Sequence, residues 1–483
     1  MERTHTIHLR SLFLLLSISV ISKASILNSY NPSQESILAI KTLFSDERER
    51  STELLSNFYK DEKILVDVIR GIMFDAQIDI SRFANSSVLI KPNWVIHNRK
   101  PKDKECLTTH PRFILAILDI VLETKPTEVI IADAPLQSCK WDKLLPEYFL
   151  VGIKQREIEN SIPIRIIDWR RRIFVPTENL LLEERRDLDD YIIFDVKGLS
   201  YLDPITTEKP IFRVTDYDPD RLSESHKKGK HLYCIAKEVF EVDHIIAIPK
   251  AKTHQKTGIT NALKLMVGLN GDKDYLPHHR VGGTGFGGDC YPGANLVRRL
   301  TEHVLDMANR RIGKPTYRPL RLLSRILWHS VPSSPKHSYS AAWYGNDTCW
   351  RMVMDLNMIA KFGKRDGSIS SESQRNILYV CDGIIGGQGN GPTNPDPLPL
   401  GVIMVSENPA KMDYALALLM RFDPYKLPLI SNALSLFGDD TQMALNGKSC
   451  ELDEIVDLSI FTKAAPGWVD YIQDSLTFNK RSG

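Results

Sequence analysis

SSVLIKPNWV (86–95), HPRFILAILDIVLET (110–124) and TEVIIADAP (127–135) carry the reading that decides the fold. Val88 to Ile90 is a branched apolar run that reads as a strand ending at Lys91-Pro92-Asn93. Apolar residues then recur at helical spacing, with Thr109 as the candidate N-cap. TEVIIADAP supplies a second buried strand that ends at Asp133. Strand, helix and strand over this length form a βαβ unit, which implies a parallel sheet. Such sheets collect ligands at the carboxyl ends of their strands. Lys91, Asn93 and Asp133 stand at those ends.

A second stretch, IIAIPKAKTHQKTGITNALKLMVGLNGDKDYLPHH (245–279), brings the richest chemistry to the same edge. Ile245 to Pro249 reads as a buried strand, KTHQKTG as a loop, and Ala262 to Val267 as a helix capped by Thr260 or Asn261. The free N–H groups of a helix start and the nearby cations favour negative charge. Lys250, Lys252, Thr257 and Thr260 are therefore candidate anion-binding residues. Lys264 and Asp133 are candidate catalytic groups beside His254, whose imidazole is the side chain most easily tuned to general acid or base work near neutral pH. The competing reading is a solvated basic loop on an ordinary α/β domain. His278 and His279 are adjacent, so their side chains diverge and only one can serve as a metal ligand or base while the other faces elsewhere.

NILYVCDGIIGGQGNGPTNPDPLPLGVIMVS (376–406) predicts a strand, a glycine-rich loop and another strand. It is neither a P-loop nor a dinucleotide fingerprint, since no GK[ST] follows and no helix opens directly after the glycines. Asp382 at the strand end is a candidate metal ligand, and Gly389, Asn390 and Gly391 offer close backbone approach to a ligand. Asp413, on a helix capped by Ser406 or Asn408, is placed either in the same cleft or in solvent. GGTGFGGDC (282–290) is a third glycine-rich segment.

The 483 residues allow two or three domains. The expected architecture is α/β: two α/β domains with mostly parallel sheets and a cleft between them, at 81–295 and 341–483. A helical N-terminal extension is expected at 25–80 and a basic helical insertion at 296–340. That insertion reads as a solvated helical face or, alternatively, as a surface for an acidic partner or a membrane through 296–329. A formal net charge of +2 is too weak to argue for nucleic acid as a general partner, and none is expected. With seven widely spaced cysteines and no CxxC pair, no ferredoxin-type iron–sulfur module or zinc ribbon is expected, and reduced thiols fit better than a disulfide scaffold. Arg3 and Arg10 ahead of SLFLLLSISVIS make residues 1–24 either an export signal or an N-terminal helix of a cytoplasmic protein. Asn85 and Asn346 open glycosylation tripeptides.

VLIKPNWV, TTHP, VIIADAP, IPKAKTHQKTGITNALKLMVG and DGIIGGQGNGPTNPDPLPLGVIMVSENPAKMDYALALLM, in this order, resemble the family catalogued as domain of unknown function 362. Some of its members carry a ferredoxin segment, whose cysteines this chain lacks. A weaker similarity links His254, Gly258 and Lys264, ten residues after the histidine, to nickel-dependent lactate racemases, in which such a lysine tethers a nickel-pincer nucleotide. TNALK stands where those enzymes have SGGxK. The expectation is an enzyme acting on a small anionic metabolite or acidic sugar by histidine-centred or metal-assisted chemistry, such as an isomerase or epimerase of a carboxylate. Its metal would be a divalent ion held by Asp382 and His278 or His279. The alternative is a non-catalytic anion-binding protein accessory to cell-surface polysaccharide assembly, a context that only the family resemblance implies.

Overall fold

Alternation along the central strands sets the layers. Val88 and Ile90 join one buried cluster while Leu89, between them, joins another, and Ile246 and Ala247 divide in the same way. A strand buried on both faces must be covered by helices on both faces. The computed structural model describes residues 36–177, 180–209, 211–331, 341–438 and 442–473. The readings of residues 1–24 lie outside them.

One 12-stranded sheet runs through the molecule. Its strands are β1 (Leu38–Thr42), β2 (Ser87–Pro92), β3 (Glu128–Asp133), β4 (Ile164–Asp168), β5 (His244–Ile248), β6 (Lys250–His254), β7 (Gly258–Thr260), β8 (Ile377–Asn390), β9 (Asn394–Leu398), β10 (Val402–Ser406), β11 (Met443–Leu445) and β12 (Lys448–Cys450). The order is β12-β11-β1-β10-β8-β5-β2-β3-β4, with β6 and β9 also paired to β8 and β7 to β6. The centre, from β8 through β5, β2 and β3 to β4, is parallel. Helices α1 (Glu62–Asp75), α2 (Pro111–Glu123) and α3 (Glu147–Asn160) cover one face. On the other lie α4 (Ala262–Leu265), α7 (Cys349–Phe362), α8 (Pro409–Leu419) and α9 (Pro428–Phe437). Between them in sequence, α5 (Leu296–Asn309) and α6 (Tyr317–His329) pack against each other.

The α/β class and the parallel centre agree with the sequence. The two expected units do not keep separate sheets: β5 of the first pairs in parallel with β8 of the second, so both share one sheet. The 25–80 stretch is not wholly helical, because apolar Leu38–Ile40 is buried as β1 between β10 and β11. The cap of α2 is His110, whose ring accepts from Arg112 N. Thr109 instead donates to Ile248 O and accepts from Asn93 N, tying β2 to β5. The expected helices at 296–329 form, and they expose Leu296, Leu300, Leu322 and Ile326. Asn346 is buried, and its amide donates to His278 O and Ala341 O, so it is no accessible glycan acceptor.

Candidate active site

β6 leaves the sheet edge carrying Lys252 and His254, and the chain turns back as β7 into α4, which carries Lys264. Together with the ends of β2 and β3, these elements enclose a cavity of about 220 Å3. Asn93, Asp133, Lys252, His254, Thr260, Lys264 and His278 all line it, as do Lys256 and Lys273. The only carboxylate among these lining residues, Asp133, is already engaged. It accepts from Lys91 Nζ at 2.8 Å, Trp94 N at 2.7 Å and Ala134 N at 2.9 Å.

The lysines around the cavity lack such partners. Lys252 donates to Asn93 Oδ1 at 2.8 Å and to Leu107 O, and Lys273 to Ala134 O at 3.3 Å. Lys256 Nζ and Thr260 Oγ1 are buried with no hydrogen-bond partner among the described residues. Burial lowers all four amines: Lys252 to about 7, Lys273 to about 8, and Lys256 and Lys264 below the ordinary lysine value. An anion entering the cavity would meet this concentrated charge and restore it to full protonation.

The two histidines present opposite faces. His254 Nδ1 accepts from Lys256 N at 3.0 Å and Thr257 N at 3.2 Å. Burial, followed by Lys264, Lys256, His278 and Lys252, holds the ring well below the ordinary histidine value. A neutral ring whose Nδ1 is an acceptor carries its proton on Nε2. His278 is the reverse. Its Nδ1 donates to Leu276 O at 2.6 Å, and burial beside Lys264 and Lys256 again keeps it neutral. Its Nε2 therefore bears a lone pair. One imidazole is a hydrogen-bond donor at its distal nitrogen, the other an acceptor.

The family model described as "Domain of unknown function (DUF362)" matches residues 88–185 and 197–417. The chain belongs to the DUF362 family. No curated protein matches it. A crystal structure of a protein from Thermotoga maritima aligns at 8% identity with a TM-score of 0.29, covering 71% of this chain and 56% of that one. The present chain thus spans just over half of that protein's length. The similarity to lactate racemases expected from His254, Gly258 and Lys264 is not shown by these comparisons.

Several residues expected at the site do other work in this DUF362 protein. Lys250 is buried against Asp382 at 2.9 Å, and Asp382 also accepts from Tyr59 OH and His110 N, which occupies both its oxygens. Neither lines the cavity, and Asp382 is not placed to hold a metal beside the histidines. Lys91 is enclosed with Asp133, and Thr257 Oγ1 donates to Ile259 O. The start of α4 is closed to an outside anion, because Asp413 of α8 accepts from Ala262 N at 2.8 Å and from Leu263 N. Burial raises that carboxyl to about 8, against the hydrogen bonds that lower it. Asn261, the residue before α4, makes no side-chain cap hydrogen bond.

The expected glycine-rich loop is strand. Gly383 to Gly389 lie within β8, and Gly389, Asn390 and Gly391 do not line the cavity, although Pro392 and Thr393 do. The glycines serve close packing: a Cβ at Gly387 would stand 2.8 Å from Lys252 Cβ, and one at Gly391 would stand 2.0 Å from Thr253 O. Lys256 and Lys273 are the cavity cations the motif reading missed. Lys256 could have been found, since it belongs to the same KTHQKTG segment. Lys273 could not, because it is delivered by a turn (Lys273–Tyr275) behind Asp272, which Arg171 and Arg172 hold.

Proposed function

We propose that this pocket binds a small, multiply charged anion and acts on it by acid–base chemistry, with His254 and His278 in opposite roles. The observation that carries the reading is the convergence of Lys252, Lys256, Lys264 and Lys273 on one cavity whose sole lining carboxylate is already paired to Lys91. The lysines hold a carboxylate or phosphate group. His254 donates from Nε2 to oxygen as negative charge develops there, and His278 Nε2 accepts a proton. Of the two roles expected for His254, acid or base, this reading keeps the donor, because two backbone N–H groups already use its other nitrogen.

A proton that His278 takes from the carbon next to a carboxylate and returns to the adjacent carbon, while His254 hydrogen-bonds the developing oxyanion, is an isomerase reaction on a keto acid or sugar acid, and the site's composition suits it. Size favours this over a nucleotide tethered to Lys264. About 220 Å3 lies below the roughly 300–1,000 Å3 of pockets for drug-sized ligands.

Titration calorimetry across hydroxy acids, sugar acids and inorganic phosphate tests the reading, followed by turnover assays of whichever binds. His254→Ala and His278→Gln should each lower turnover at least about 100-fold, within the usual range for a general acid or base. Binding without turnover leaves the accessory-binder alternative. Unchanged binding and turnover in His254→Ala would sink the assignment. A mass excess on the Lys264 peptide of native protein would favour the tethered nucleotide instead.

A further inference from the structure

HHRVGGTGFGGDC (278–290) holds a second constellation that the anion pocket does not use. His279 and Arg280 form a short strand against Phe212 and Arg213, and alternation there turns His279 away from the pocket that His278 lines. The glycine-rich segment then folds back on itself. Cys290 N donates to Gly282 O at 3.0 Å, and a Cβ at Gly288 would stand 2.1 Å from that same oxygen, so only glycine permits the fold. The return sets Cys290 beside His279. Glu302, on α5, closes the group from a third direction, accepting from Gly282 N with both oxygens at 3.0 Å.

We infer that His279, Cys290 and Glu302 form a divalent-cation site, with zinc the ion that best fits one nitrogen, one sulfur and one oxygen donor. Their ligand atoms all lie within 4.8 Å of one another, and all three residues are buried. His279 is 4% exposed, and its Nδ1 has no hydrogen-bond partner among the described residues. An imidazole nitrogen left bare in a dry interior is costly unless something binds it. Zinc takes nitrogen, oxygen and sulfur at about 2.0–2.3 Å, which puts donors on one tetrahedral ion roughly 3.5 Å apart. Side-chain rotations of about an ångström would close the observed group onto such an ion.

The charges balance as well. A thiolate and a carboxylate offset a dication, and the Arg213 guanidinium nearby is paired to Asp306 at 2.9 Å. Binding breaks the Cys290 S–H bond, forms a sulfur–metal bond and releases one proton to solvent, with no change of oxidation state. Beside His279 and Glu302 lies a cavity of about 10 Å3, the space of about one water, which Asp306 and Asn309 also line. Asn309 Oδ1 likewise has no hydrogen-bond partner among the described residues. Three protein ligands with a water-sized fourth position is the arrangement of a zinc site that keeps an open coordination place, in contrast to a closed structural site.

The site stands independently of the anion pocket, and the test separates them. Full-length protein is stripped with a chelator, equilibrated with zinc and measured by elemental analysis. One zinc per chain is expected, accompanied by a rise in melting temperature, and Lys264→Met should leave that stoichiometry unchanged. Cys290→Ser and Glu302→Gln should each lose most of the bound zinc while circular dichroism stays native. Should either variant fail to fold, cobalt(II) loading of the unaltered protein decides: a thiolate-to-cobalt charge-transfer band in the near ultraviolet is expected. Absence of that band, or full zinc stoichiometry in folded Cys290→Ser, overturns the proposal.

Discussion

Two sets of buried lysines differ in what faces them. Lys91 and Lys250 each meet a carboxylate, Asp133 at 2.8 Å and Asp382 at 2.9 Å, inside a dry interior. Lys252, Lys256, Lys264 and Lys273 line a cavity, where Lys252 and Lys273 meet amide or carbonyl oxygens and Lys256 meets no hydrogen-bond partner among the described residues. Lys250 and Lys252 are two residues apart on one strand, yet a register shift between them on β8 sends one to Asp382 and the other beside Gly387. The paired set holds β2, β3, β6 and β8 in place. The unpaired set keeps uncompensated positive charge in reserve for a ligand.

The contrast makes the two sets respond to mutation with opposite signs. Asp382→Ala leaves the Lys250 ammonium buried without its partner and should destabilise the fold by about 3–5 kcal/mol in urea unfolding. Lys256→Met and Lys264→Met remove unpaired ammonium groups, so the melting temperature should hold or rise. The same variants should weaken anion binding about 10- to 100-fold by calorimetry, within the range for a lost hydrogen bond to a charged group. A stability loss in Lys256→Met as large as that in Asp382→Ala would erase the distinction.

Acidity sharpens it further. Burial brings Lys252 from the ordinary 10.5 to about 7. Between those values the unfolded chain holds a proton that the folded chain lacks, so this group makes stability rise with pH across that window; below about 7 both states are protonated and its cost is fully present. Anion binding should run the other way. Affinity for sulfate, which does not titrate in this range, should fall as pH passes about 7 and then about 8, where Lys252 and Lys273 lose their protons. A flat sulfate affinity from pH 6 to pH 9 (roughly the range spanning both groups) would remove these two lysines from the site. Asn93→Ala should have the smallest effect. It deletes one neutral acceptor of Lys252 and should change affinity by about 0.5–1.5 kcal/mol.

Local signals were strong where one segment forms its own structure. The βαβ unit, a cap for α8 at Ser406 or Asn408 (the structure uses Asn408) and the convergence of Asn93, Asp133, Lys252, His254 and Lys264 were legible, because strand ends and short turns fix where such side chains go. The same reading erred wherever a distant residue had prior use of a group. Asp413 fills the start of α4, Asp382 is taken by Lys250, Tyr59 and His110, and the glycines of β8 admit neighbouring strands. None of these partners is near in sequence.

The amino-acid order by itself determined the α/β class and a cationic strand edge, since hydrophobic period and turn chemistry act over a few residues. Only the tertiary structure decided which charges are spent internally, which imidazole nitrogen carries a proton, and that Cys290 and Glu302 meet His279. Those outcomes depend on contacts between segments far apart along the chain, and in a low-dielectric interior a single such contact fixes the state of an ionisable group.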